Sequence, residues 1–410
     1  MADTKEYTLR LKGGVSKDVI ASKVDSVVYR VPSNDKMMVA NLTIAQYQAL
    51  FDANLVSGIM DNEVHDNLVD DFAVKDVTYK RYPPFGETRS QVDFENESNW
   101  GLIRHSNDTN ITTFETLTTQ QYTYNYDGGG VDFFFLASDM IDIDDPEFKN
   151  ANGESRIQQF QFNTLTGLEE LPTIDYTVGN SESKVNHAEA CIKIACGNTD
   201  GWATGARIFI VPRSQIHYTF WHEIVRQFHL QKGNSRPTVC GSAYGYRRDT
   251  TIVHTINFRG HGETRNYAGN DVSTKNIYKG FTGYGIPALH HFYIDDEVLW
   301  GPPDDLTAAG VTNIVSAGNY FNKHALPGNI DYNNYYKVYT TILNKVADSI
   351  KYYYNRSGPT FGRNGDTIAV AALASSFSWN TDIYGTKETL SDFSDRGDRV
   401  DCCAAGEHIA

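Results

Sequence analysis

The sequence predicts an α/β fold, a parallel sheet with helices on both faces, preceded by a smaller α+β unit. Three observations carry this. Mostly apolar runs recur at 131–137, 206–211, 312–316 and 367–373, as strands buried on both faces require. Helical stretches lie between them: one after His187, one over 219–230 with an apolar face at i, i+3 and i+4, and one over 335–353. Residues 6 to about 65 carry the order strand–helix–strand–strand–helix–strand.

In that first unit, Tyr7-Thr8-Leu9-Arg10-Leu11 alternates as a half-buried strand, and a short helix over 16–22 follows Gly13-Gly14. Strands at 27–31 and 37–42 flank a Pro32-Ser33-Asn34-Asp35 turn. Thr43 caps a helix whose apolar positions are Ile44, Tyr47, Leu50 and Phe51, and 55–60 closes the unit. The order is the ferredoxin-like pattern, which hosts many functions. Residues from about 66 to 130 are polar and rich in turn signals, including Pro83-Pro84 and Asp127-Gly128-Gly129-Gly130. The divisions read as 1–66, a linker over 67–96, and a main domain over 97–410.

A chain of 410 residues, 40% hydrophobic and 12% aromatic, has ample core material. A net charge of −15 argues against a nucleic-acid backbone as partner, which selects basic surfaces. No apolar run reaches the roughly 20 residues of a membrane helix, and the charged start Met1-Ala2-Asp3-Thr4-Lys5-Glu6 lacks the apolar core of a secretory signal. Five loosely spaced cysteines, Cys191, Cys196, Cys240, Cys402 and Cys403, read as reduced thiols and make no zinc spacing. Tyrosine is plentiful at 25 residues, a flavour common among virion structural proteins.

The chemistry-bearing motifs lie in the second domain. Leu136-Ala137-Ser138-Asp139-Met140-Ile141-Asp142 leads into Asp145-Pro146-Glu147-Phe148. His187-Ala188-Glu189-Ala190-Cys191 precedes Gly201-Trp202-Ala203-Thr204-Gly205-Ala206-Arg207-Ile208. Then come Gly241-Ser242-Ala243-Tyr244-Gly245-Tyr246, Ser316-Ala317-Gly318-Asn319, and 399–409 with Val400-Asp401 and Ala404-Ala405-Gly406-Glu407. Together and in this order they resemble the subtilisin-like serine proteases (subtilases), in a degenerate form. Arg156 to Gly167 and the helix ending at Leu230 look like the phage-encoded members, particularly those of cyanophages. Residues 1–65 resemble the family's propeptide, and Asn99-Trp100-Gly101-Leu102-Ile103-Arg104 the start of its mature domain.

The resemblance implies a subtilisin-like sheet and a set of site positions. His187 falls on the triad histidine and Asn319 on the oxyanion asparagine, while Ala243, Tyr244 and Gly245 fall on the substrate-binding strand. Anchored on Pro146-Glu147-Phe148, the triad's acid position is filled by Ser138. The neighbouring Asp139 points to the opposite face if the strand continues. The Gly-Thr-Ser nucleophile motif does not occur before Ala410, so the resemblance leaves this chain without its nucleophile. The expected function is therefore a non-catalytic pseudoenzyme, a structural or binding protein of a phage virion. The alternative is a serine endopeptidase whose Ser-bearing segment lies on another chain or fragment. The propeptide-like unit is expected to stay attached, with its tail at about 62–69 near the old substrate cleft.

Other candidate groups have plainer readings. His222 and His229, seven apart, read as a structural helix surface, and His222-Glu223 lacks the second histidine of a zinc-protease helix. His290-His291 reads as a loop. Asp142, Asp144 and Asp145 offer the hard oxygens a structural calcium takes, although a solvated acidic turn is the simpler account. No cofactor is expected. Partners are expected to be proteins, through virion assembly or homo-oligomerisation, without nucleic acid or membrane insertion, and the setting is the virion or the host cytoplasm.

Overall fold

The computed structural model describes residues 4–31, 34–62, 69–70, 105, 126–138, 140–176, 187–199, 201–244, 246–247, 253–258, 263–266, 297–319, 323–338, 341–342, 345–346, 350–353, 355–356, 362, 365–374, 390–391 and 393–406. In chain order the first unit comprises β1 (Lys5–Leu11), α1 (Lys17–Ala21), β2 (Ser26–Tyr29), β3 (Met37–Leu42), α2 (Ile44–Asp52) and β4 (Val56–Asp61). The rest comprises β5 (Val69–Asp70), β6 (Asp132–Ala137), α3 (Phe162–Thr166), α4 (His187–Cys196), β7 (Arg207–Pro212), α5 (Trp221–Lys232) and β8 (Thr238–Ser242). These are followed by β9 (Tyr246–Arg247), β10 (Val253–Phe258), β11 (Glu263–Asn266), α6 (Glu297–Ala308), β12 (Thr312–Ser316), β13 (Tyr335–Val338), β14 (Thr341–Ile342), β15 (Lys345–Val346), β16 (Ile350–Tyr353), β17 (Ile368–Leu373) and β18 (Cys402–Ala405).

The first unit forms an antiparallel sheet of order β2-β3-β1-β4, the ferredoxin-like arrangement. Its helices start where the caps demand. Ser16 accepts from Val19 N, and Thr43 forms a full capping box with Gln46. Leu9, Ile20, Met38, Leu42 and Leu50 make its own core.

The large sheet is parallel, with order β18-β17-β12-β8-β6-β7. Alternation along β6 sends Phe134 to one face, where it stacks on Phe209 at 4.5 Å and meets Phe228 of α5 edge-on at 4.9 Å. Phe133 and Phe135 take the other face, against which Gly241 packs so closely that a Cβ would stand 3.1 Å from the Phe133 ring. Ala188, Ile192 and Cys196 of α4 join the same core. The α/β class expected from the apolar runs is what forms.

Two expectations are corrected. The described residues within 335–353 are strands, not helix: β13 and β16 pair antiparallel, Tyr335 opposite Tyr353, within a sheet of order β11-β10-β13-β16. Aromatic and β-branched side chains gain cross-strand contacts there, with the Tyr335 and Tyr353 rings 6.1 Å apart, that a helix would not offer. His222 and His229 are not on a surface: they are 5% and 4% exposed, because α5 is covered by the sheet on one side and by α6 on another. His290-His291 lies outside the described residues.

The first unit docks on the main body through a continuous core. Val31, Met37 and Met60 belong to the main hydrophobic cluster, and β1 and β4 pack on α6. Tyr29 stacks on Phe220 at 5.8 Å. Arg10 reaches Asp305 at 3.0 Å, lying so tightly over α6 that a Cβ at Gly301 would stand 1.9 Å from its guanidinium carbon.

Candidate functional site at the carboxyl edge of the sheet

In open parallel sheets, ligands bind outside the carboxyl ends of the strands, where the strand order reverses. Here the chain runs from β6 outward to β7, then back past β6 to β8 and on to β12. The register pairs Phe135 with Gly241 and Ser242 with Val315. Ser138, Ala243-Tyr244 and Ala317-Gly318-Asn319 therefore leave the same edge.

Ser138 is half-buried just beyond β6, and Asp139 lies outside the described residues. The chain then turns inward through Met140 and Ile141, both buried. His187 opens α4 and is half-buried, its Nε2 3.5 Å from Cys191 Sγ one turn along. The helix start is tied to the strand end by Asp142 N donating to Glu189 Oε2 at 3.4 Å.

The aspartates beyond β6 are used locally. Asp142 Oδ1 accepts from Asp144 N at 2.9 Å, and Asp145 accepts from Glu147 N at 2.8 Å and pairs with Lys193 at 2.7 Å. Burial pushes the Asp145 carboxyl up, but Lys193 and the Glu147 amide outweigh it and hold it below the usual range. Among the described residues no group of His, Cys, Asp and Glu side chains is placed to hold a metal ion.

Ala243 is half-buried and Tyr244 is 2% exposed; Gly245 lies outside the described residues. Tyr244 meets Trp221 edge-on at 5.5 Å, and the Arg213 guanidinium lies 4.0 Å from its ring centre. Its ring thus belongs to the wall behind the edge. Arg213 itself follows β7 and donates its backbone N–H to Ala137 O at 2.9 Å, beside the end of β6.

Asn319 is half-buried after Gly318, whose φ of +117° only glycine adopts readily. A buried pair holds this turn. His324 Nε2 lies 2.9 Å from Asp395 Oδ2 and 3.0 Å from Ala317 O; both neighbours accept, so that nitrogen carries the proton. Asp395 N in turn donates to Gly318 O at 2.9 Å. His324 and Asp395 are both 0% exposed. Sequence reasoning missed His324, Asp395 and Arg213, since none belongs to a motif and the pair is 71 residues apart.

A few residues beyond the end of β8 the chain pairs with itself. β5 lies antiparallel on β9, Val69 opposite Arg247 and Asp70 opposite Tyr246. A row of contacts leads to it from the first unit. Tyr218 Oη donates to Asn62 Oδ1 at 3.1 Å, Tyr218 meets Trp221 at 6.4 Å, and Trp221 meets Tyr244.

This is a parallel α/β protein with a candidate site at the carboxyl edge and a small α+β unit docked beside it. No protein-family model matches the chain, and no curated protein sequence matches it. Among solved structures it is similar to subtilisin-like serine proteases. The epidermin leader peptide processing serine protease EpiP from Staphylococcus aureus superposes with a TM-score of 0.45 at 12% identity, over 99% of this chain and 76% of that one. Fervidolysin from Fervidobacterium pennivorans, a keratinolytic enzyme related to subtilisin, gives 0.43 at 15%, over 99% and 47%. A cold adapted subtilisin-like serine proteinase gives 0.37 at 15%, over 76% and 74%. At such identities the chemistry has to be argued from this chain's own side chains.

Proposed function

We propose that this chain is a subtilase-like pseudoprotease, a non-catalytic binding or structural protein of a bacteriophage virion. Ser138 carries the proposal. It stands beyond β6 at the position the resemblance assigns to the triad's acid, and a hydroxyl supplies no charge to stabilise an imidazolium on His187. Losing that charge in a triad costs roughly ten-thousandfold in rate. The β5–β9 pairing supports the binding half of the proposal: the edge that would receive a substrate strand receives the tail of the first unit. The virion assignment rests on the likeness of residues 156–167 and of α5 to phage-encoded subtilases, and on the tyrosine-rich composition.

One observation favours a second reading, a serine endopeptidase completed by a Ser-bearing segment on another chain or fragment. The Asn319 turn is still rigidly held by the His324–Asp395 pair, as an oxyanion-type donor would need. Incubation with fluorogenic peptides and with a serine-directed phosphonate probe separates the two. The pseudoprotease gives neither turnover nor label, and His187→Ala changes nothing. Labelling, or turnover abolished by His187→Ala, overturns the proposal.

A further inference from the structure

We infer a binding site for a small anion at the opposite, amino-terminal end of the large sheet, far along the strands from the candidate cleft and independent of the function proposed above. A polar cavity of about 710 Å³ opens there, within the size range of small-molecule sites. One wall is the hairpin of residues 149–155, and the other is the 204–207 segment entering β7.

Its charge runs against that of the protein. The whole chain carries 36 basic against 51 acidic residues, yet the cavity is lined by Lys149, Arg156 and Arg207 against one carboxylate, Glu154. Two further carboxylates stand close by, Asp127 beside Gly205 and Glu147 near Arg156, but beneath the wall the cations again outnumber the acids. Asp132, 0% exposed, is shared among Arg207 at 2.7 Å, Arg236 at 3.0 Å and Lys232 at 3.4 Å, so one carboxylate serves three cations. Arg207 therefore faces the cavity only partly neutralised. Lys149 forms no ion pair among the described residues. A concave surface of one sign with low-dielectric walls concentrates ions of the other.

The walls are preorganised. Asn150 Oδ1 accepts from Asn152 N and Glu154 N, fixing the hairpin, and Glu154 itself accepts from Asn150 Nδ2 at 2.9 Å. Beneath them Arg156, 8% exposed, donates to the carbonyls of Glu147, Cys196, Ala203 and Ala206, tying three segments together. A ligand there loses little energy to ordering the protein. Asn150, Gln158 and Thr204 supply neutral donors and acceptors beside the cations. The chemistry selected is a small molecule bearing a phosphate, sulfate or carboxylate group.

Isothermal titration of the full chain at low ionic strength with inorganic phosphate, sulfate and citrate tests this and separates the three anions. At least one binds saturably. Lys149→Glu weakens it about tenfold or more, and Glu154→Gln tightens it, both with an unchanged circular dichroism spectrum. If none of the three binds saturably, or Lys149→Glu binds as the wild type does while folded, the site is not what the geometry points to. The Glu154→Gln gain guards against a loss caused by misfolding alone.

Discussion

His222 shows at a single residue how far tertiary burial overrides the character of a side chain. It is fully enclosed on α5, its Nε2 has no hydrogen-bond partner, and burial pushes its pKa down from 6.5 to about 3. The sign of the consequence is fixed. As pH falls below about 6.5 the unfolded chain takes up a proton that the folded chain refuses until about 3. Stability is therefore lost across that window, by up to about 1.4 kcal/mol per pH unit. Urea unfolding as a function of pH should show this slope, and His222→Leu should flatten it while leaving neutral-pH stability equal or higher by about 1 kcal/mol. An unchanged slope would contradict the burial argument. At this scale, His187, Ser138 and Asn319 can be named from the sequence because each sits in a short ordered motif. The pairings of His324 with Asp395 and of Arg213 with Tyr244 cannot. Their partners are set by chain crossings that leave no local pattern.

The elements divide along the same line. β6, β7, β12 and β17 were legible because a strand buried on both faces must be apolar throughout. α2 was legible from Thr43 and the spacing of its apolar residues. The antiparallel β13 and β16 read as helix because Tyr335, Val338, Tyr339, Ile342, Leu343, Val346, Ile350 and Tyr353 recur at helical spacing, which the cross-strand pairing overrides. α6 escaped notice because Pro302 and Pro303 lie inside it. That helix matters, since it carries the docking contact for the first unit. Arg10 and Asp305 are 7% and 18% exposed, so removing one partner strands the other's charge. Asp305→Ala should lower unfolding stability by about 2 kcal/mol and speed amide exchange in β1 and β4 while leaving exchange in β6 and β7 unchanged. Uniform acceleration in all four strands would mean that the contact does not act locally.

For the whole molecule, the smaller body keeps its own core but joins the larger one's through Val31, Met37 and Met60, and a short strand after it pairs just beyond the end of β8. An interface built from buried methionine, valine and stacked aromatics behaves as a permanent one. The backbone just beyond the carboxyl edge is thus already paired with an extended segment of the same chain, as the proposed binding role requires. The most direct check is a disulfide between Val69→Cys and Arg247→Cys, made with Cys402 and Cys403, the exposed native thiols, changed to serine. Residues opposite each other on antiparallel strands have Cα atoms about 4.5–5.5 Å apart, within disulfide reach. Mild oxidation should give an intramolecular cross-link in the monomer in high yield. A folded double variant that stays reduced, or that cross-links only between molecules, would contradict a self-occupied cleft.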